Sequence, residues 1–236
     1  LPLSGFTMTY GGLRSDWVRS FIKEGGIVGV WLGYGWANPI LPWETLFRHY
    51  NILAWWGYLL HKRLTAHGNT SAIHLDLTPT PQFRKIGRQQ REIRNGLGKL
   101  FLHARVAPAR ALIPYSQASV YANAVIDESH EEGANAATVL FNERRLTYRF
   151  IADEQVTAGG LNMAADAFFI LPNVDAMPVD AMRAYGAAIA RGCFALADAT
   201  AGTRDGHGKR LMNSPLDLAF GVNRAHGVVL KAMRFE

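Results

Sequence analysis

Trp31, Tyr34, Trp36, Trp43, Trp55, Trp56 and Tyr58 all fall within 28 residues. Most fall at or just after two short apolar runs, Ile27–Leu32 and residues 52–58. An indole at a strand end has two uses. It can fill a core, or it can offer its flat face to a sugar ring, by the same dispersion and quadrupole effects that favour aromatic contacts. Both readings stay open here, and Trp36 and Trp56, then Tyr34, are the residues expected to face a ligand. Carboxylates are scarce nearby. The run Trp31-Leu32-Gly33-Tyr34-Gly35-Trp36-Ala37-Asn38 contains none, so Glu44 is the one nearby candidate for catalysis. Its other reading is a first-turn helix residue, favoured by the helix macrodipole.

Other familiar signatures fail. Gly206-His207-Gly208-Lys209-Arg210 resembles a phosphate loop only superficially: Thr203 stands where its first glycine belongs, and Arg210 where a magnesium-binding hydroxyl belongs. The eight histidines have no metal-ligand spacing, so no metal is expected. No G-x-S-x-G elbow exists for a serine hydrolase. The single cysteine, Cys193, opens a predicted buried strand, where a thiol serves as core filler, and it rules out an internal disulfide framework.

With 236 residues the chain holds one large domain or two small ones. Apolar content of 49% and charged content of 19% describe an ordinary folded protein. The net charge of +6 is dispersed. Its densest group, Arg84, Lys85, Arg88, Arg91 and Arg94, reads as the solvated face of an amphipathic helix, so no nucleic-acid partner is expected. The longest apolar stretch, residues 51–60, is about half of the ~20 residues a membrane helix requires. No membrane partner is expected, no signal peptide is visible, and a cytoplasmic location is the expectation. The chain begins at Leu1, inside sequence that already looks folded, which suggests an excised piece.

The elements that would position these residues are clearest in the second half. An apolar run, residues 167–171, ends at Pro172-Asn173. A helix should start at Pro178 and stop at Gly192, with Val179, Met182, Gly186 and Ile189 on one face. A second run, residues 193–197, completes a βαβ unit of about 30 residues. Upstream the pattern predicts strand 111–115, helices 118–127 and 134–146, and strand 148–153. Downstream it predicts a short helix at 216–220 and a strand at 228–233.

The first half predicts a polar approach with a short helix at 16–23, strand 27–32, helix 43–49 and strand 52–58. A long helix follows from 83 to 102, with Ile86, Ile93, Leu97 and Leu100 on its buried face. Residues 107–110 are the linker candidate. Strands alternating with helices predict parallel sheets covered on both faces.

These pieces resemble a known family. Ile113-Pro114-Tyr115-Ser116-Gln117-Ala118-Ser119, Phe169-Ile170-Leu171-Pro172-Asn173-Val174, the Thr203-to-Gly208 loop and Pro215-to-Val222 are similar to the trimerisation domain of family-42 glycoside hydrolases, the β-galactosidases. That domain is flavodoxin-like and related to class I glutamine amidotransferases. The first half resembles the end of the catalytic (β/α)₈ barrel of the same enzymes. There residues 27–36 stand for the seventh strand and its loop, and 52–58 for the eighth strand.

The resemblance implies an α/β chain in two parts. Residues 1–106 would be the end of the barrel, its last two strands and helices. Residues 107–236 would be the flavodoxin-like domain, on a separate sheet. It implies a β-galactosidase-like hydrolase of terminal β-galactosides or related glycosides, with a carbohydrate substrate and no cofactor. It also implies a homotrimer built by a second domain without glutaminase activity, since Leu171-Pro172-Asn173-Val174 occupies the turn where active amidotransferases carry cysteine. Retaining glycosidases need two carboxyl groups about 5 Å apart. The family's acid/base residue follows a fourth strand that would precede Leu1, so the piece alone should be inactive. The alternative is a non-catalytic flavodoxin-like assembly or sugar-sensing module.

Overall fold

A computed structural model describes residues 6–9, 12–23, 25–32, 40–55, 72–74, 76–105, 107–125, 130–161 and 168–224. Contacts divide the chain into two compact units, Leu1–Val106 and Ala107–Glu236. Each has its own parallel sheet, and the strands at Ile27–Leu32 and Phe168–Leu171 do not share one.

The first unit alternates β1 (Phe6–Thr9), α1 (Gly12–Phe21), β2 (Ile27–Leu32), α2 (Leu41–Phe47) and β3 (Ile52–Trp55), with the strands parallel in that order. The sequence pattern marks two strands here; the structure has a third, β1. Hydropathy misses it because alternate positions are threonines. Thr9 faces α1, where its hydroxyl meets that of Ser15. The period-2 alternation of a strand then sorts the sheet. Val28 and Val30 pack with Val18 of α1, with Ile22 just past its end and with Leu41 of α2, while Ile27, Gly29 and Trp31 lie on the opposite face. That opposite face is apolar, yet Ile27 and Trp31 are exposed on it. A Cβ at position 29 would fall on the Met8 sulfur, which explains the glycine.

Downstream, α3 (Pro81–Glu92) starts as its residues dictate. The Thr80 side chain accepts the Phe83 N–H at 3.2 Å, and Pro81 fills the first turn. The expected single buried face does not continue. A π-turn, Ile93–Leu97 with Gly96 at φ 144°, joins α3 to α4 (Gly98–His103) and rotates the register. Ile86 and Ile93 are buried, but Leu97 and Leu100 are exposed. The basic residues from Arg84 to Arg94 face solvent, as the pattern predicts.

The second unit runs β4 (Ala111–Tyr115), α5 (Gln117–Val125), α6 (His130–Glu143), β5 (Tyr148–Ala152) and a single turn α7 (Asp153–Gln155). A π-turn, Val156–Gly160, extends α7. Then come β6 (Phe168–Leu171), α8 (Val179–Ala190), β7 (Phe194–Ala197) and α9 (Pro215–Phe220). All strands are parallel, in the order β5-β4-β6-β7. In such a doubly wound sheet the winding reverses between β4 and β6. The helix α8 ends at a left-handed Gly192, φ 95°, where the sequence places its stop. Its buried face is Ala181, Met182, Tyr185 and Ala188; of the predicted stripe Met182 is buried and Ile189 packs against the core, while Gly186 turns sideways toward Ala219 of α9. β7 also departs from expectation. Among the described residues it is the last strand of the sheet, with one covered face: Ala195 and Ala197 pack inward, while Phe194 is 68% exposed. The predicted strand at 228–233 lies outside the described residues.

Two glycines in turns of opposite character test this reading. A Cβ at Gly160 would sit 2.5 Å from the Gln155 carbonyl oxygen, so Gly160→Ala should cost about 1–3 kcal/mol through overpacking. At Gly87, inside α3, a Cβ meets nothing within 4 Å, and Gly87→Ala should add about 0.5–1 kcal/mol of helix propensity. Urea unfolding of the two variants should therefore move in opposite directions; a shared sign would contradict the local geometry.

Candidate functional site

In a parallel barrel sheet, chemistry gathers at the C-terminal ends of the strands. At that end of the first unit the aromatic cluster divides. Trp55 touches both hydrophobic clusters of the unit, beside Val30 and Leu53 on one side and Ile73 and Ile86 on the other, so it is core. Trp31 lies one residue from the end of β2 on the uncovered face, 36% exposed, in register with Ala54. Trp43 is half-buried in α2. Tyr34, Trp36, Trp56 and Tyr58 lie outside the described residues.

Glu44 belongs to the first turn of α2, and its carboxylate is 3.1 Å from Arg48, one turn further on. Arg48 in turn donates to Asp16 at 2.8 Å. Asp16 is buried on α1 and also accepts the Tyr50 hydroxyl at 3.1 Å. Burial, then the Asp16 charge, push the Tyr50 phenol well above its ordinary value. This network sits at one identifiable end of the sheet. Three residues beyond Arg48, the Asn51 side chain accepts the Val28 N–H near the start of β2. It therefore lies at the N-terminal end of the strands, where barrel residues serve stability. Sequence reasoning missed it, since nothing in a lone Asp marks it as buried.

The second unit offers a crevice at the reversal between β4 and β6, where doubly wound sheets bind ligands. Here the chain's own residues fill it. The Ser116 Oγ is 2.7 Å from Asp153 Oδ2 and 2.8 Å from the Ala176 carbonyl. Ser119 donates to that carbonyl at 2.6 Å and accepts the Ala176 N–H at 2.9 Å. Burial pushes the Asp153 carboxyl up to about 6, against the Ser116 hydrogen bond and with the Glu154 charge. The turn after β6 holds Asn173 in the left-handed region at φ 54°, with its N–H on Asp198. Cys193 precedes the opposite, N-terminal end of β7 and packs partly buried against the core. No thiol stands at the turn.

Two grooves flank β7, of about 400 and 510 Å³, and share Ala197 and Asp198. Their polar groups are already used. Asp198 accepts the Thr200 N–H and hydroxyl at 2.9 and 2.8 Å, and Arg224 reaches Asp217 and the carbonyls of Ala199 and Ala201. The Gly206–Gly208 loop closes on itself, with Asp205 accepting the N–H groups of His207 and Lys209. Among the described residues no group of three His, Cys, Asp or Glu could hold a metal ion.

Comparison with solved structures connects both units to one architecture. Gan42B, a GH42 β-galactosidase, superposes over 87% of this chain and 32% of its own, with a TM-score of 0.65 and 12% identity. The fold is that of family-42 glycoside hydrolases. A catalytic mutant of Gan42B from G. stearothermophilus matches 76% of this chain and 26% of its own, at TM-score 0.56 and 13% identity. The apo exo-carrageenase GH42 from Bacteroides ovatus matches 86% and 28%, at TM-score 0.56 and 8% identity. No family model matches the chain, and no curated relative matches it in sequence. The chain spans 26% to 32% of these solved chains.

Within that fold, β1 to β3 are part of a (β/α)₈ barrel and β4 to β7 a flavodoxin-like parallel-sheet domain. Trp31 stands near the C-terminal end of β2, on the face of the sheet opposite Val28 and Val30. No helix among the described residues is long and apolar enough to cross a membrane.

Proposed function

We propose that the chain is the carboxy-terminal portion of a β-galactosidase-like glycoside hydrolase acting in the cytoplasm on terminal β-galactosides or related glycosides. The observation that carries this reading is the first sheet: parallel strands, helices on one face, and an indole at the C-terminal mouth of the other. The parent cleaves by double displacement between two carboxyl groups about 5 Å apart. Trp36, Trp56 and Tyr34 join Trp31 in holding the sugar. Residues 107–236 build a homotrimer and have no glutaminase activity, in keeping with Asn173 at the turn after β6.

One observation favours the non-catalytic alternative. Glu44 is spent on Arg48 in the network at the N-terminal end, and residues 33–39 contain no acid. The two readings separate by assay. The full-length gene product should hydrolyse a chromogenic β-galactoside with retention of anomeric configuration, and the 236-residue chain alone should not. Turnover by the chain alone would overturn the reading that its carboxyl pair is incomplete, and none by the full-length product on any glycoside would overturn the hydrolase reading.

A further inference from the structure

The strongest unexplained chemistry lies in the crevice between β4 and β6, where the hydrogen-bond contacts outnumber the protons of an ionised site. Ser116 has a single hydroxyl proton, yet its oxygen is within 2.8 Å of two acceptors, Asp153 Oδ2 and the Ala176 carbonyl. Ser119 already supplies a proton to that carbonyl and takes the Ala176 N–H. With Asp153 ionised, one of the two Ser116 contacts brings oxygen against oxygen with no proton between. With Asp153 protonated, each contact has one: Asp153 donates to Ser116, Ser116 donates to the Ala176 carbonyl, and Ser119 closes the set.

We infer that Asp153 and Ser116 form a proton-dependent clamp that fastens the Asp175–Met177 segment over the crevice between β4 and β6. Protonated, the chain of hydrogen bonds runs unbroken from Asp153 at the start of α7 through Ser116, just before α5, to Ala176. Ionised, Ser116 turns to the carboxylate and Ser119 alone bonds the Ala176 amide and carbonyl, while backbone bonds to Arg204 still hold Asp175 and Met177.

The surroundings support a proton on the acid. Asp153 is buried and its Oδ1 has no hydrogen-bond partner, a costly state for a carboxylate. From α8 the neutral phenol of Tyr185 faces it, also buried and unpartnered. Glu154, its chain neighbour, acts on it with the same sign of charge. Within the fastened segment, Asp175 leans on Ser119 and is paired with Arg204 at 3.5 Å. Burial lifts the Asp153 value from 3.8 to about 6. Because the folded value is raised, the clamp is complete at low pH and weakens as pH rises through about 6. The associated stability is lost across the interval from about 4 to about 6.

The test is an amide titration by NMR on the whole chain between pH 5 and 8. The Ala176 amide resonance should titrate with a midpoint near 6 in the wild type. In Asp153→Asn, whose amide can donate to Ser116 as the acid does, that resonance should stay fixed near the wild-type low-pH position. If the Asn variant does not fold, Ser116→Ala serves instead: it keeps the acid but cuts the link, and the Ala176 titration should vanish. A flat Ala176 resonance in the wild type, or a titration that survives either substitution, would overturn the clamp.

Discussion

Replacing Arg48 by methionine should lower unfolding free energy by about 3–5 kcal/mol, because it strands a buried carboxylate. Asp16 is 1% exposed, and Arg48 approaches it to 2.8 Å. The Tyr50 hydroxyl and Arg19 at 3.7 Å stay beside it, and neither replaces the lost charge-assisted bond. The neighbouring pair behaves differently. Glu44 is 47% exposed, and an i,i+4 pair of that kind contributes about 0.3–0.5 kcal/mol. Glu44→Gln should therefore cost a tenth as much. Removing both charges together, as Asp16→Leu with Arg48→Met, should restore much of the loss, since a buried ion pair is often replaceable by apolar packing. Urea unfolding of the single and double variants decides it; an Arg48→Met loss no larger than that of Glu44→Gln would sink the buried-charge account. In the full-length product the same Glu44→Gln change also reports on chemistry. A helix residue leaves turnover nearly intact, whereas a nucleophile loses it by orders of magnitude.

The parts of this fold that were legible share one property: local chemistry fixes them. Pro178 and Gly192 bracket α8 because their backbone preferences act at a single residue, and β2 follows its apolar run from Ile27 to Leu32. Where burial depends on what lies across the molecule, the sequence was mute. Trp31 and Trp55 are both tryptophans at strand ends, and only the pleat places one against helices and the other on the open face. A π-turn at Gly96 cannot be read from a stripe of leucines, since a straight helix predicts them all buried. β7 looked like an interior strand because Phe194 and Leu196 are apolar, yet strand order puts it last in the sheet among the described residues. For the site, the sequence pointed to the C-terminal ends of β2 and β3, and it gave no sign of the Asp16–Arg48 or Ser116–Asp153 networks. Those join residues 32 and 37 positions apart, a distance no local motif spans.

The largest packing effect should come from Tyr185, and its two substitutions should disagree. The residue is fully buried in α8, with its ring 4.9 Å from Phe169 and its neighbours Leu171, Val174, Met177 and Met182 also fully enclosed or nearly so. Truncation in Tyr185→Ala removes that ring from the centre of the larger core and should cost about 3–5 kcal/mol, transfer and cavity terms together. Tyr185→Phe keeps the ring and removes only the hydroxyl. A buried hydroxyl normally has a partner, and losing a made bond costs about 1 kcal/mol. This one has none, so the phenylalanine variant should be neutral or slightly more stable. Thermal or urea unfolding of the two variants reads the difference directly. A Tyr185→Phe loss above about 1 kcal/mol would mean that the hydroxyl is bonded after all, with Asp153, whose charge reaches it, as the first partner to examine.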